Sequence, residues 1–223
     1  MKQIFEGEVY EILPLSNGII FSYCKETTDD NKLVIAYKMI SFDNGRFSDV
    51  AKNIYLMAKF GNNYQAIVKH CDNYITVKSI VLPSGKVLLL LKDGTVKLID
   101  TDSTIIWQGN LNYRTFTASD IVIYKNSLWA CFSECNVLLR YNLNTMREEL
   151  RIGGKKSPFD KPSRMFLDGE NVTVCNKGSK QLTTVNLESY TVLTDESFEE
   201  EVSQYIKSDI YKFVILSTGL YML

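Results

Sequence analysis

Histidine is nearly missing from this chain: His70 is the only one among 223 residues. A histidine-based metal centre or a Ser-His-Asp triad needs its imidazole beside further ligands or partners. His70 adjoins Cys71 with no additional metal-ligand spacing around it, so a residue on a helix face is the expected reading. A surplus of either charge is lacking too, since 25 basic residues face 26 acidic ones for a formal charge of -1. Non-specific binding to nucleic acid or to an anionic membrane needs a basic surplus, so neither partner is expected. Long hydrophobic runs are absent. The longest, Val87 to Leu91, is far too short to cross a bilayer, and MKQIFEGEVYEIL at the start holds no apolar signal core. Cysteine is sparse and odd in number: Cys24, Cys71, Cys131, Cys135 and Cys175. With no secretory signal, these are expected as free thiols in a reducing cytoplasm. No Gly-rich phosphate loop is present either, because Gly153-Gly154-Lys155-Lys156 does not continue into GxxxxGK[ST] between a strand and a helix. No cofactor is expected.

What the chain does hold is a repeated hairpin plan. Residues 79 to 109 read as strands at Ser79–Leu82, Lys86–Leu91, Thr95–Asp100 and Thr104–Trp107. Pro83-Ser84-Gly85, Lys92-Asp93-Gly94 and Thr101-Asp102-Ser103 separate them, and Asp-Gly between apolar runs is a strong hairpin signal. The plan recurs over 118–152 and 164–193. LIDTDS slides onto RYNLNT at an offset of about 42 residues, and Cys131 onto Cys175 at about 44, both in the range of four-stranded propeller blades. Upstream, residues 3–14 read as two strands broken near Glu6-Gly7, Gly18–Cys24 as a buried strand, and Lys32–Phe42 as a long strand closed by Asp43-Asn44-Gly45.

Residues 48–72 break the pattern. SDVAKNIYLMAKFG fits strand or helix, whereas Tyr64, Ile67, Val68 and Cys71 follow i, i+3, i+4, i+7 spacing and predict a short helix from Asn63 to Cys71, with Asn62-Asn63 as its cap. Ser197–Ser208 also reads as a helix, with Ser197 as N-cap, acids in the first turn, and Phe198, Val202, Tyr205 and Ile206 on one face. Strands at Ile210–Leu216 and Leu220–Leu223 end the chain. The fold expected is all-β: one five-bladed β-propeller over 1–223, with a short helical insertion in the first blade. Residues 2–6 close the ring onto the C-terminal strands and so remove an open sheet edge.

Two blades resemble known propeller repeats. GTVKLIDTDSTIIWQG is similar to a quinoprotein-type (PQQ-like) repeat, in which a strand ending in Asp leads through a turn to a Trp. FDKPSRMFLDGENVTVCNKGSKQLTTVNLESYTV resembles an NHL-type repeat through Phe159, Pro162 and the Asp168-Gly169 turn. The resemblance implies blade geometry and no particular chemistry.

Candidate site residues follow from the repeat offsets. In a propeller the innermost strand of each blade lines the axis. Matching the blades places Glu11, Lys78, Asp120 and Arg164 at one level, alternating acid and base around the ring, with Tyr205 or a near neighbour as fifth member. Such a collar suits a zwitterionic or anionic ligand, Lys78 and Arg164 donating to its anionic group; ordinary strand-end charges are the alternative. Tyr113 and Arg114 lie on the connection between two blades and are of types favoured in binding sites. Cys131 and Cys175 match in the repeat, which predicts small buried strand residues. Asp195-Glu196 and Glu199–Glu201 fit a helix N-terminus, or else a calcium or partner site. The function expected is non-enzymatic binding of a protein or small ligand on one face or at the channel. The alternatives are a hydrolase or lyase with carboxylates in the funnel, and a structural assembly subunit.

Overall fold

The computed structural model describes residues 1–71 and 76–223. Five four-stranded antiparallel sheets form the blades of a ring. Blade 1 is built from β2 (Val9–Leu15), β3 (Gly18–Thr27), β4 (Leu33–Ser41) and β5 (Phe47–Asp49). Blade 2 comprises β6 (Thr76–Val81), β7 (Val87–Leu91), β8 (Thr95–Ile99) and β9 (Ile105–Asn110). A small ribbon, β10 (Asn112–Tyr113) with β11 (Phe116–Thr117), leads to blade 3: β12 (Asp120–Tyr124), β13 (Ser127–Phe132), β14 (Val137–Asn142) and β15 (Glu148–Gly153). Blade 4 holds β16 (Pro162–Asp168), β17 (Asn171–Asn176), β18 (Gln181–Asn186) and β19 (Val192–Ser197). Blade 5 joins both ends of the chain. From the axis outward it runs β20 (Val202–Ser208), β21 (Tyr211–Leu216), β22 (Gly219–Met222) and then β1 (Lys2–Glu6).

The ring closes as its sequence predicts. β1 pairs antiparallel with β22 from Lys2↔Met222 to Glu6↔Gly219. Phe5 then reaches across the seam to blade 1, its ring 5.1 Å from Phe21 and 4.8 Å from Tyr23. Gly219 sits at φ +153°, and a Cβ there would run into the Phe5 carbonyl, so this closing pair depends on glycine.

Each seam between neighbouring blades holds its own cluster of buried apolar side chains. Middle strands therefore bury both faces and lose the polar half of the alternation. β7 shows how: Leu88 and Leu90 enter the seam with blade 3, while Val87, Leu89 and Leu91 enter the seam toward blade 1. Each such leucine, fully buried, contributes about 1.5–3 kcal/mol. In β13, likewise, Leu128, Ala130 and Phe132 face one neighbour while Trp129 and Cys131 face the other.

The seam between blades 1 and 2 is built differently. The insertion supplies α1 (Lys52–Phe60), α2 (Tyr64–Ile67) and a 3-10 turn at Val68–His70. Tyr55, Leu56, Phe60, Ile67 and Cys71 are buried between Ile20 of blade 1 and Leu89 of blade 2. The helical spacing of Tyr64, Ile67, Val68 and Cys71 is realised as α2 plus the 3-10 turn, and α1 resolves the strand-or-helix segment before it. The insertion begins after Asp49 rather than at 48, because Phe47–Asp49 completes blade 1 as its outer strand. Residue 72, where the expected insertion ends, lies outside the described residues. Asn63 stands at the N-cap of α2, its carbonyl accepting from Ala66 N and Ile67 N, but its side-chain amide donates to the Thr101 carbonyl of blade 2 rather than capping the helix.

Ser197–Ser208 is not a helix. Val202–Ser208 is the inner strand of blade 5, and Glu199–Glu201 lie in the loop before it. An inner strand touches a neighbour on each side, so Val202, Tyr205 and Ile206 are all buried. A one-residue slip in pairing between Val202 and Gln204 then breaks the period of two. The result imitates i, i+3, i+4 spacing. The acids need no helix dipole either: the Glu200 carboxylate accepts from Ser217 Oγ at 2.5 Å, Thr218 N at 3.0 Å and Thr218 Oγ1 at 2.9 Å, latching the loop to the β21–β22 turn.

Candidate functional site

The same irregularity marks four of the five blades at the axis. Pairing with the second strand slips by one residue between Val9 and Glu11, Thr76 and Lys78, Pro162 and Arg164, and Val202 and Gln204. In blade 3, Ser119 donates its amide to the Cys131 carbonyl just before Asp120↔Cys131 opens the regular ladder. The first residue after the slip in those four blades, and the first residue of the regular ladder in blade 3, are therefore equivalent: Glu11, Lys78, Asp120, Arg164 and Gln204. The expected four share one level, and the fifth member is Gln204, next to Tyr205.

The structure joins this ring across the axis. Asp120 is fully buried; its Oδ1 accepts from Ile121 N at 2.9 Å and its Oδ2 from Met165 N of blade 4 at 2.7 Å. The Lys78 ammonium lies 3.3 Å from Asp120 Oδ2 and donates over 3.3 Å to the Met165 carbonyl, while Arg164 stands 4.0 Å from Asp120 Oδ1. Arg164 also donates to the Val77 carbonyl of blade 2. Blades 2 and 4 are not neighbours, so these two bonds cross the ring over blade 3. Gln204 instead ties two neighbouring blades, 5 and 1, accepting from Ile12 N at 2.9 Å and donating to Ile12 O at 2.8 Å.

Glu11 turns instead toward the insertion. It is 8% exposed, pairs with Lys59 of α1 at 2.6 Å, and accepts the Tyr55 hydroxyl. Burial alone would raise its carboxyl pKa, yet the Lys59 ammonium, then the Arg164 guanidinium and the two hydrogen bonds, hold it below the ordinary value. Tyr55 is correspondingly driven well above its usual value, by burial and then by Glu11. Lys59 and Tyr55 lie outside the repeat, so blade matching does not find them. The signal open to sequence reading was a lysine and a tyrosine four apart on one face of a helix next to the first blade.

Cys131 and Cys175 are buried opposite Asp120 and Arg164 in the ladders. Burial first, and the Asp120 charge second, push the Cys175 thiol up to about 12 and raise Cys131 likewise, leaving both inert. His70 is also structural: Nε2 lies 2.9 Å from the Ser103 carbonyl and 3.1 Å from Ser103 Oγ, tying the insertion to the β8–β9 turn. Among the described residues no group of three His, Cys, Asp or Glu side chains is placed to hold a metal.

Above the collar, at the ends where the inner strands begin, a cavity of about 760 Å³ opens on the axis. All five blades line it. Arg164, Lys92 and Lys177 bring positive charge, Glu8 brings one carboxylate, and Ser119, Ser163 and Ser203 supply hydroxyls. Arg164 thus belongs to both levels, whereas Glu11, Lys78 and Asp120 form the floor. Tyr113 and Arg114 stand apart on the β10–β11 turn and line a separate cleft.

No model of a known family matches the chain, and no curated protein matches it. Solved structures do match in shape. A protein of unknown function from Bacteroides caccae aligns with TM-score 0.53 and 15% identity, over 94% of this chain and 70% of its own. The computationally designed Ika8 protein aligns with TM-score 0.50 and 12% identity over 96% of this chain, which spans 57% of that one. Likeness at such identities concerns the fold alone. The class that the blades define is a five-bladed β-propeller closed by its N-terminal strand. No described helix is long and apolar enough to cross a membrane.

Proposed function

We propose that this propeller is a non-enzymatic binding module whose axial funnel takes a small anionic or zwitterionic ligand. The observation that carries the reading is the funnel itself: a cavity of about 760 Å³ that every blade lines, with three cations against one carboxylate. Its volume lies within the range of about 300–1,000 Å³ usual for ligand pockets. Arg164 offers its guanidinium edge to an anionic group, Lys92 and Lys177 add positive charge, and Glu8 faces any ammonium of a zwitterion. The buried carboxylates beneath are engaged by several donors each, which supports a structural floor rather than an acid–base pair. Nucleic acid remains an unexpected partner for a chain of charge -1. Free thiols at all five cysteines support a reducing, cytoplasmic compartment. For the repeat type, a buried Phe159 and Pro162 opening β16 support an NHL-like blade 4, and the Asp-to-Trp strand pair supports a quinoprotein-like blade 2.

The test is a thermal-shift screen of small carboxylates and amino acids, followed by calorimetry on the tightest. The Lys92→Gln/Lys177→Gln variant is expected to weaken binding by about tenfold or more, since each charge-assisted contact contributes about 1.5–3 kcal/mol. Unchanged affinity in that variant, or no binder at low salt, would overturn the reading.

A further inference from the structure

Tyr113 and Arg114 lead to a second site. Their turn leans over the end of blade 3 on the face that carries the funnel, further from the axis. The cleft between them measures about 440 Å³ and is lined by Tyr113, Arg114, Phe116, Glu134, Arg151 and Lys155, with Cys135 at its wall. Two stretches far apart in sequence meet here, the 113–116 turn and the 151–155 connection.

Both arginines converge on one ring. Arg151 Nη1 donates to the Tyr113 hydroxyl at 2.5 Å, and the Arg114 guanidinium carbon lies 5.4 Å from the centre of the same ring. Two guanidinium groups held around one phenol repel each other unless an anion sits near. Among the described residues neither of them, nor Lys155, takes part in a contact ion pair, and the Glu148 carboxylate acts on Arg151 only from a distance, more weakly than Tyr113 or burial does. Glu134 is the one carboxylate in the lining against three cations. Phe116, meanwhile, stays 41% exposed at the rim, an aromatic surface open to contact.

We propose that this cleft binds a small phosphate monoester whose organic part is a planar ring. The phosphate sits on Arg114, Arg151 and Lys155, where guanidinium forks match its oxygens. The ring packs against Phe116 and Tyr113. The site is separate from the funnel and shares no lining residue with it.

Phenyl phosphate is the probe, with inorganic phosphate and phenol as its two halves, titrated calorimetrically into the full chain at low salt. Phenyl phosphate is expected to bind about tenfold more tightly than inorganic phosphate, and phenol not measurably. Arg114→Gln/Arg151→Gln is expected to lose at least about tenfold in affinity, and Lys92→Gln/Lys177→Gln nothing. A second readout avoids variants: Cys135 is a half-buried free thiol in the cleft wall, so phenyl phosphate is expected to slow its alkylation by iodoacetamide, read by peptide mass, with Cys24 as the unprotected control. Absence of phenyl phosphate binding, full affinity in the double-arginine variant, or undiminished Cys135 alkylation at saturation would overturn the site. Equal affinity for phosphate and phenyl phosphate would overturn its ring-binding half.

Discussion

At the scale of single residues, the collar behaves as a set of inter-blade ties. Glu11 carries the clearest pH signature. Its pKa is lowered in the folded protein, so its contribution to stability is fully present above the ordinary carboxylate value of about 4.3 and is lost as pH falls through the lower folded value. Glu11→Gln leaves Lys59 buried without its counter-charge, and is expected to cost about 3 kcal/mol at neutral pH and to flatten stability below pH ~4.5. Urea melts across pH 3 to 7 on both proteins check this; parallel curves would contradict it. Asp120→Asn, at a position with no exposure, is expected to cost about 3–5 kcal/mol by stranding Lys78 and weakening the bond from Met165 N. Charges at this level were legible because the repeat offset is regular where the turns are regular. The fifth member was placed only at Tyr205 or a near neighbour, without fixing on Gln204, because its strand passed for a helix; Lys59 and Tyr55 escaped because no offset reaches an insertion.

Among the elements, hairpins announced themselves and one buried inner strand, β20, did not. Asp93-Gly94 and Asp168-Gly169 each join strands found close to where their sequences place them. By contrast β20 is buried on both sides and slips its register at Ser203, so neither alternation nor a polar face survives to mark it. The insertion showed its helical character but not its purpose. It fills the seam between blades 1 and 2, with Ser79 Oγ donating to the Lys59 carbonyl at 2.7 Å and Phe60 only 1% exposed. Phe60→Ala is accordingly expected to cost about 3–5 kcal/mol, comparable to a core position within a blade. A loss below 1 kcal/mol in chemical denaturation would show that α1 is an ornament and not a wedge.

For the whole molecule, closure converts five sheets into one cooperative body. β1 contributes both its ladder to β22 and the Phe5 contacts to blade 1. Deleting residues 1–7 is expected to lower the melting temperature by about 10 °C or more, at 2–4 °C per kcal/mol for a chain of this size. Closure also defines the funnel, since its wall needs the inner strands of all five blades at once. Ring count, closing strand and a charged level on the axis could be read from the repeats; the size and lining of the funnel could not, because a cavity depends on how far apart the inner strands stand, which α1 sets at one seam. The most direct measurement is a crystal structure of the protein with the tightest carboxylate or amino acid from the screen. The expected result is ligand on the axis, its carboxylate within hydrogen-bond reach of Arg164 and beside Lys92 and Lys177. Ligand bound elsewhere, with only water above the collar, would contradict the binding function assigned to the funnel.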